Sequence, residues 1–248
     1  MYNRLSNYLS KWAISTDNRY GFRSRSDTSM AVMEKVDKIS EAIDANEYLI
    51  GIFIDLSKAL DMLNHSILCD KLKHYWIRGI ALDWFKSYLN NRLQYVEYNG
   101  VISSKLKLKC GVLQGSILDI ILFLIYINDI TNASNLLQII LFADDTNIVL
   151  HNKNIENLID IANTELKKLT DWFIANRISL NVAKTKCIIF CNSNKYYDSN
   201  LVTIILSGHV IVQIQHAKFL GVYIDERLNW HEHIKQVSGK ISKKHPIF

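Results

Sequence analysis

The sequence predicts an α+β fold, and three observations support that prediction. Amphipathic helical patterns and short strand patterns follow one another without strict alternation. Two β-prone runs enclose an acidic turn, which is the pattern of a hairpin. Hydrophobic residues make up 49% of the 248 positions and charged residues 21%, a composition that suits a globular protein with a sizeable core and excludes extensive disorder.

The first half of the chain begins with a helix predicted near 28–46, because apolar residues recur there at helical spacing. Ser26 or Asp27 is placed to cap it. The apolar run Tyr48–Ile54 then predicts a buried strand. The next predicted elements are helices at 65–76 and 80–90, strands at 93–98 and 104–109, and a buried helix at 116–130.

The second half begins with two β-prone runs, Gln138–Phe142 and Thr146–Leu150, which predict a hairpin with a tight acidic turn. From Ile155 onward one face stays apolar for about five turns, which predicts a long amphipathic helix packed on a sheet. The remaining predictions are strands near 186–191, 201–206, 209–214 and 218–224 and a helix from about 230.

Three aspartates are the strongest candidates for a functional site. Asp55 directly follows the predicted strand 48–54, and Asp144 and Asp145 lie in the hairpin turn. Carboxylates that meet at the ends of neighbouring strands repel one another unless cations offset them, and Mg²⁺ prefers such oxygen ligands. Two Mg²⁺ ions, with Mn²⁺ as the alternative, would serve in-line phosphoryl transfer. Adjacent residues of an extended chain point to opposite sides, so Asp55 and Asp144 rank above Asp145.

The distribution of charge favours nucleic acid as the partner. Residues 71–109 hold eight Lys or Arg and two acidic residues, a net charge of +6 within a chain of +5. Clustered cations bind phosphate backbones, although a solvated surface is the common alternative. Lysines alternate at 105, 107 and 109, which predicts three ammonium groups on one strand face.

Membrane, secreted and zinc-binding proteins fit the sequence poorly. The apolar run 117–127 contains Asp119 and is shorter than the roughly 20 residues of a membrane-spanning helix, so no membrane partner is expected. The first residues lack the apolar stretch of a secretory signal, which predicts an intracellular location. The four cysteines show no CxxC spacing and predict buried free thiols.

Six segments, in order and spacing, carry a resemblance to a known family. They are Tyr20–Arg23, Phe53–Asp61, Gly111–Ile117, Phe142–Asp145, Leu180–Lys186 and Lys218–Asp225. With these segments the chain resembles the reverse transcriptases of non-LTR retrotransposons, most of all the insect jockey-like group. The resemblance implies a right-hand polymerase that extends a primer 3′-hydroxyl on an RNA template.

The resemblance also implies the catalytic residues. Asp55, Asp144 and Asp145 would bind the metal ions, which are the same three residues that the pattern of strands and turns indicates. The carbonyl of Leu56 would assist them. Lys184 would neutralise or protonate pyrophosphate, whereas without the resemblance a solvated surface lysine is the plainer interpretation.

Further residues would bind nucleotide, template and primer. Gln114 and Gly115 would line the template and dNTP pocket, since a glycine permits close backbone approach; a helix start capped by Ser116 is the structural alternative. Arg23 would meet template or triphosphate through its guanidinium. Leu60 stands where the family usually has an aromatic residue that blocks the sugar 2′-hydroxyl, which predicts weaker exclusion of ribonucleotides. The primer grip is predicted at Phe219, Leu220 and Gly221.

The resemblance divides the chain into partial fingers at 1–47, a palm at 48–225 and the start of a truncated thumb at 226–248. A fingers-side insertion is expected at about 66–110. The implied partners are an RNA template, a DNA primer and dNTPs, with an endonuclease domain normally in the same polyprotein. Asp119 departs from the family pattern, and its burial would require a partner or a proton.

Two other functions stay open at this point. A partial, catalytically impaired copy would act at most as a nucleic-acid-binding protein through residues 71–109, with salt-sensitive affinity. A metal-dependent phosphohydrolase would use the same three aspartates without a primer. Each aspartate alone also has a structural interpretation, because Asp-Asp is ordinary turn chemistry.

Overall fold

The computed structural model describes residues 1–12, 14, 19–21, 27–90, 92–112 and 115–244, with the side chains of residues 243 and 244 left aside. Helices and strands are mixed along the chain, which confirms the predicted α+β fold. The chain divides into two units. The first comprises Met1–Thr16, Leu56–Ile130 and Asp171–Ser179, and the second Asp17–Asp55, Thr131–Thr170 and Leu180–Phe248.

The described residues contain seven α-helices and two 3₁₀ helices. The α-helices are α1 (Tyr2–Lys11), α2 (Thr28–Asp44), α3 (His65–His74), α4 (Ile80–Leu89), α5 (Ile117–Tyr126), α6 (Ile155–Ala175) and α7 (His231–Lys244). The 3₁₀ helices are Asn128–Ala133 and Ser199–Leu201. No described helix is both long enough and apolar enough to cross a membrane.

Thirteen strands are described, seven of them only two residues long. The longer strands are β1 (Tyr48–Ile54), β6 (Gln138–Phe142), β7 (Asp145–Asn152), β8 (Lys186–Phe190), β12 (His216–Phe219) and β13 (Val222–Asp225), of which the last two have four residues. The short strands are β2 (Leu93–Gln94), β3 (Glu97–Tyr98), β4 (Val101–Ile102), β5 (Leu106–Lys107), β9 (Ile205–Leu206), β10 (His209–Val210) and β11 (Val212–Gln213).

A five-stranded sheet organises the second unit, in the order β11-β8-β1-β7-β6. β1 pairs antiparallel with both β7 and β8, and β11 pairs parallel with β8. Six of the seven residues of β1 are buried, as expected for a continuous apolar run in the middle of a sheet. Because β1 and β7 are antiparallel, β1 ends where β7 begins.

Helix α2 packs on this sheet. Asp27 caps it, since the Asp27 carboxylate accepts a hydrogen bond from the Met30 N–H at 2.9 Å. The buried residues of α2 recur every three or four positions, and the apolar ones join the apolar core of the sheet, β12 and β13. Their list is Ala31, Lys35, Ile39 and Ala42.

The first unit is built on α1, α3, α4 and α5, with the paired short strands β2–β5 and β3–β4. Asn64 caps α3 by accepting hydrogen bonds from the Ser66 and Ile67 N–H groups. Helix α5 is buried along most of its length; Leu122 and Tyr126 are fully buried. The Tyr126 hydroxyl donates to the Asn176 carbonyl, which anchors the end of α6 in this unit.

Several predicted boundaries were wrong. Helix α5 ends at Tyr126 and a 3₁₀ helix continues, whereas the apolar pattern predicted one helix to 130. The run 201–206 forms a strand only at Ile205–Leu206, because Asp198 caps a 3₁₀ turn there. Helix α1 was not predicted. The predicted free thiols are confirmed, but Cys110 is exposed and Cys69 partly exposed, so only Cys187 and Cys191 are buried.

Candidate active site

Asp55 follows β1 at the end of the sheet, and its backbone is held on both sides. Its N–H donates to Thr185 Oγ1 at 3.3 Å, and its carbonyl accepts from the Asn181 N–H at 2.8 Å. The carboxylate oxygen Oδ2 is buried and accepts no hydrogen bond from the described residues. The nearest described cation is Lys184, whose Nζ lies 3.9 Å from Oδ2 on a side chain that is 74% exposed.

Asp144 and Asp145 lie in the hairpin that joins β6 to β7. Phe142 pairs with Asp145, so Ala143 and Asp144 form a two-residue turn and Asp145 is the first residue of β7. The predicted hairpin is therefore confirmed. Ala143 has φ 54°, in the left-handed region that residues with a Cβ rarely adopt. Both aspartates are exposed.

The pairing of β1 with β7 brings the three carboxylates to the same end of the sheet. The last pair of the ladder is Ile54 with Thr146, and the same register places Asp55 opposite Asp145. Desolvation raises the pKa of Asp145 above its ordinary value, and the negative charges of Asp144 and Asp55 raise that pKa further. The sequence predicts mutual repulsion of this kind for carboxylates that lie close together.

The cluster fits a divalent cation in its chemistry. All three side chains offer hard oxygen ligands, and the buried Asp55 Oδ2 lacks a hydrogen-bond donor. A cation would also offset the repulsion around Asp145. Over the described ranges, however, no three His, Cys, Asp or Glu side chains converge closely enough to form a ready-made metal site.

Lys35 is a residue of this region that the sequence analysis missed. Its side chain is 0% exposed, and its Nζ donates to Asn147 Oδ1 at 2.8 Å. Burial lowers the pKa of Lys35 well below its ordinary value, and the charge of Asp145 opposes that shift. A signal existed in the sequence: Lys35 lies four residues from both Ala31 and Ile39, within the buried stripe of α2.

The predicted primer grip forms the turn between β12 and β13. Phe219 pairs with Val222, so Leu220 and Gly221 are the two central residues of a hairpin. Their φ angles are 47° and 94°, the positive values of tight hairpin turns. Phe219 is 2% exposed and belongs to the core of the second unit.

Of the predicted nucleotide-pocket residues, Leu56, Leu60 and Gly115 lie in the first unit. Leu56 is buried and Leu60 is partly exposed, and the Leu60 carbonyl accepts a hydrogen bond from the Val112 N–H at 3.1 Å. Gly111 packs on the same segment, because a Cβ there would lie 2.8 Å from the Asp61 carbonyl oxygen. Gly115 has φ +92° and open space around it. Arg23 and Gln114 lie outside the described residues.

Asp119 is buried and paired. Its Oδ2 accepts a hydrogen bond from the Ser116 N–H at 2.9 Å, and the Ser116 hydroxyl caps the first turn of α5 in return. Oδ1 is buried and has no hydrogen-bond partner among the described residues. Burial raises the pKa of Asp119, and the Ser116 hydrogen bond and the charge of Arg92 oppose the shift.

The basic segment 71–109 is less uniformly cationic than its sequence suggests. Three of its lysines form ion pairs: Lys71 with Asp129, Lys73 with Asp70 and Lys86 with Asp83. The arginines instead lie over exposed or partly exposed rings: Arg78 is 4.2 Å from the Trp76 centroid and Arg92 4.3 Å from that of Tyr88. Cations and aromatic rings are thus interleaved along this surface.

Comparison with known proteins identifies related sequences. The chain matches the family described as Reverse transcriptase (RNA-dependent DNA polymerase) over residues 1–224. It is 28% identical over 248 residues to "Probable RNA-directed DNA polymerase from transposon BS" of Drosophila melanogaster, covering 96% of this chain and 27% of that protein. It is 26% identical over 233 residues to "RNA-directed DNA polymerase from mobile element jockey" of the same species, covering 91% and 25%. The chain therefore spans about a quarter of the length of these relatives.

Solved structures with a similar fold include yeast telomerases. Telomerase from Candida albicans, solved with the TWJ fragment of telomeric RNA, has a TM-score of 0.58 at 15% identity, covering 92% of this chain and 36% of that one. Apo telomerase from Candida tropicalis, truncated from its C-terminal domain, has a TM-score of 0.58 at 15% identity. The match covers 92% of this chain and 43% of that one. At this identity the likeness concerns the fold alone, and that fold is palm-like, as the sequence predicts.

Proposed function

Since the chain belongs to the reverse transcriptase (RNA-dependent DNA polymerase) family, with jockey-like relatives, we propose that it extends the 3′-hydroxyl of a DNA primer along an RNA template. The observation that carries the proposal is the position of Asp55, Asp144 and Asp145 at the same end of the central sheet. Nucleotidyl transfer needs little more than correct positioning and stabilisation of charge, which carboxylate-bound cations supply.

Asp55, Asp144 and Asp145 would hold two Mg²⁺ ions, with Mn²⁺ as the alternative. Such ions lower the pKa of an attacking hydroxyl and stabilise the charge on the leaving pyrophosphate. The buried Oδ2 of Asp55, which accepts no hydrogen bond from the described residues, and the raised pKa of Asp145 support this assignment. The Leu56 carbonyl, directly after Asp55, is a further oxygen ligand in the proposal.

Lys184 would act on the leaving group. Its ammonium lies 3.9 Å from Asp55 Oδ2, and its side chain is exposed. An exposed cation beside the carboxylates can neutralise or protonate pyrophosphate. This role is separate from that of Lys35, which is fully buried and donates to Asn147.

The nucleotide and the primer would bind through backbone-rich segments. Gly115 and Gln114 would face the template and the dNTP, and open space around Gly115 leaves room for close approach. Arg23 would contact phosphate. Leu60, whose carbonyl holds the Val112 N–H, would contact the sugar of the incoming nucleotide. The turn at Phe219, Leu220 and Gly221 would hold the primer end.

The cation-rich segment 71–109 would bind the nucleic-acid backbone. The exposed rings of Tyr95, Tyr98 and Trp76 would add stacking to the attraction between cations and phosphates. Affinity should therefore fall steeply as salt concentration rises. Fingers at 1–47, a palm at 48–225 and a thumb beginning at 226 remain the proposed division of the chain.

The test is incorporation of dNTPs into a DNA primer annealed to an RNA template, with Mg²⁺ present or chelated. The proposal expects extension that requires template, primer and metal together. Salt-sensitive RNA binding without extension would instead indicate a protein that only binds nucleic acid. Release of phosphate from dNTPs without a primer would indicate a phosphohydrolase.

A further inference from the structure

Lys35 is a fully buried lysine whose ammonium has few partners. Its Nζ donates one hydrogen bond, to Asn147 Oδ1 at 2.8 Å. The same atom lies 3.4 Å from the ring centroid of Phe53 and 4.6 Å from that of Phe219, so that it contacts two aromatic rings. Burying a lysine without a full ion pair is costly, so these three contacts are the ones that hold its Nζ in the core.

Each of these contacts leads to a different part of the proposed active site. Asn147 lies two residues after Asp145 on β7, and Phe53 lies two residues before Asp55. Side chains two positions apart on a strand share a face, so Lys35 lies under the face that carries these two aspartates. Phe53 and Asn147 are themselves paired across β1 and β7.

The third contact is with the proposed primer grip. Phe219 is the last residue of β12 and begins the turn of Leu220 and Gly221. The turn joins β12 and β13, which form a two-stranded sheet of their own, separate from the central sheet. The ammonium of Lys35 therefore connects the aspartate-bearing strands with the turn through its contact with the Phe219 ring.

We propose that Lys35 is a positioning residue that holds the β12–β13 turn in register with Asp55 and Asp145, and so places the primer end against the carboxylates. This inference rests on the proposed polymerase function. Lys35 contacts neither primer nor nucleotide in this role. It acts through Asn147 on one side and through the ring of Phe219 on the other.

The matched variants are Lys35→Met and Lys38→Met. Methionine keeps the apolar stem of lysine and removes the ammonium, so that Asn147 Oδ1 loses the hydrogen bond from Lys35. Lys38 lies on the same helix and forms a surface ion pair with Glu34 at 3.0 Å, so Lys38→Met controls for the loss of one charge from α2. Thermal unfolding establishes that both variants fold.

The first measurement is binding without any divalent metal. The affinity for a primer–template with a recessed 3′ end is compared with the affinity for single-stranded RNA of equal length. Lys35→Met should lose about tenfold affinity for the recessed end, because the contact with the Phe219 ring that holds the turn is lost, and keep its affinity for single strands. Lys38→Met should match the wild type on both.

The second measurement is primer extension. Lys35→Met should lower kcat by up to about 10²-fold and leave the KM for dNTP within about twofold, since misplacing reacting groups by about 1 Å has effects of that size. In a Phe219→Leu background, Lys35→Met should cause no further loss, because both changes break the same link. If the two substitutions instead lowered kcat independently, so that their effects multiplied, Lys35 and Phe219 would not be coupled.

The outcomes separate this inference from the proposed function. If the wild type extends primers and Lys35→Met binds and extends as well as the wild type, the inference is wrong and the polymerase proposal stands. If the wild type extends no primer, yet only Lys35→Met loses the preference for a recessed end, the polymerase proposal fails and the positioning role stands. If Lys35→Met lost affinity equally for the primer–template and for single-stranded RNA, Lys35 would have a general structural role and the inference would be overturned.

Discussion

Gly21 lies against the backbone of Ala143, so close that a Cβ on Gly21 would clash with the Ala143 amide nitrogen. The Tyr20 N–H donates to the Leu141 carbonyl at 2.9 Å, which fixes this segment along the edge of β6. Ala143 is the strained residue of the turn that presents Asp144. The Tyr-Gly pair of the sequence therefore supports the position of the aspartate hairpin.

Gly21→Ala should displace that hairpin. A clash with backbone has no flexible side chain to relieve it, so we expect a loss of about 1–3 kcal/mol in the free energy of unfolding together with a loss of primer extension. Urea unfolding and extension assays measure the two effects. Gly239→Ala is the matched control: it lies in α7 with nothing within 4 Å of a Cβ, and should be neutral or stabilising. Normal activity in Gly21→Ala would show that the hairpin tolerates movement.

Asp145→Asn should stabilise the metal-free protein at neutral pH. The pKa of Asp145 is raised by desolvation and by Asp144 and Asp55, and these effects outweigh the opposing charge of Lys35. The ionised form of Asp145 therefore lowers the free energy of unfolding. This destabilisation is full above the raised pKa of the folded protein and disappears as the pH falls below the ordinary value of 3.8. Thermal unfolding in EDTA measures it.

Addition of Mg²⁺ should reverse the order of the two proteins. A ligand that binds only the folded state raises its stability, and Asp145→Asn removes part of the proposed site. The wild type should gain melting temperature with Mg²⁺, and Asp145→Asn should gain little. Asp160→Asn, a change at an exposed position of α6, should behave like the wild type. Equal Mg²⁺ responses would argue against metal binding by Asp145.

Asp119→Asn should also stabilise the protein, by about 1 kcal/mol. Asparagine can keep the hydrogen bond that Asp119 accepts from the Ser116 N–H while removing a buried charge whose Oδ1 has no described partner. Because burial raises the pKa of Asp119, the advantage should be full near neutral pH and vanish as the pH falls below 3.8. Urea unfolding at several pH values gives the difference; a destabilised variant at neutral pH would mean that the charge itself stabilises α5.

Leu60→Phe should strengthen the rejection of ribonucleotides. An aromatic side chain at this position would fill the space of a sugar 2′-hydroxyl, and discrimination of one small group is worth about 10-fold to 200-fold in kcat/KM. Single-nucleotide incorporation of rNTPs and dNTPs measures the ratio. Leu60→Met, of similar size to leucine, should leave the ratio unchanged. A wild type that already rejects rNTPs would contradict the assignment of Leu60.

Sequence patterns predicted the parts of the site that depend on local structure. The apolar run before Asp55 specifies a central strand, and the β-prone runs around Asp144 specify a hairpin, so their positions followed from periodicity. Lys35 was missed because a lysine on an amphipathic helix is normally assigned to the solvent face. Its burial depends on Phe53, Asn147 and Phe219, which come from distant parts of the chain.

The packing of Gly21 on Ala143 also could not be predicted from the sequence, because it depends on tertiary contact rather than on local pattern. Asp119 was recognised as costly to bury, but the sequence left open whether it would pair, protonate or face solvent. The capping box with Ser116 resolves this, since Asp119 is buried and paired at once. The length of β9 and the end of α5 were mispredicted where turn residues override apolar runs.

The central claim is that the three aspartates form one metal-dependent polymerase site. Its most direct test is Mg²⁺-dependent extension of a DNA primer on an RNA template by the wild type and by Asp144→Asn, with Asp160→Asn as the control. We expect extension by the wild type and by Asp160→Asn, and a loss of at least about 10²-fold in Asp144→Asn. Extension by Asp144→Asn at the wild-type rate would contradict it.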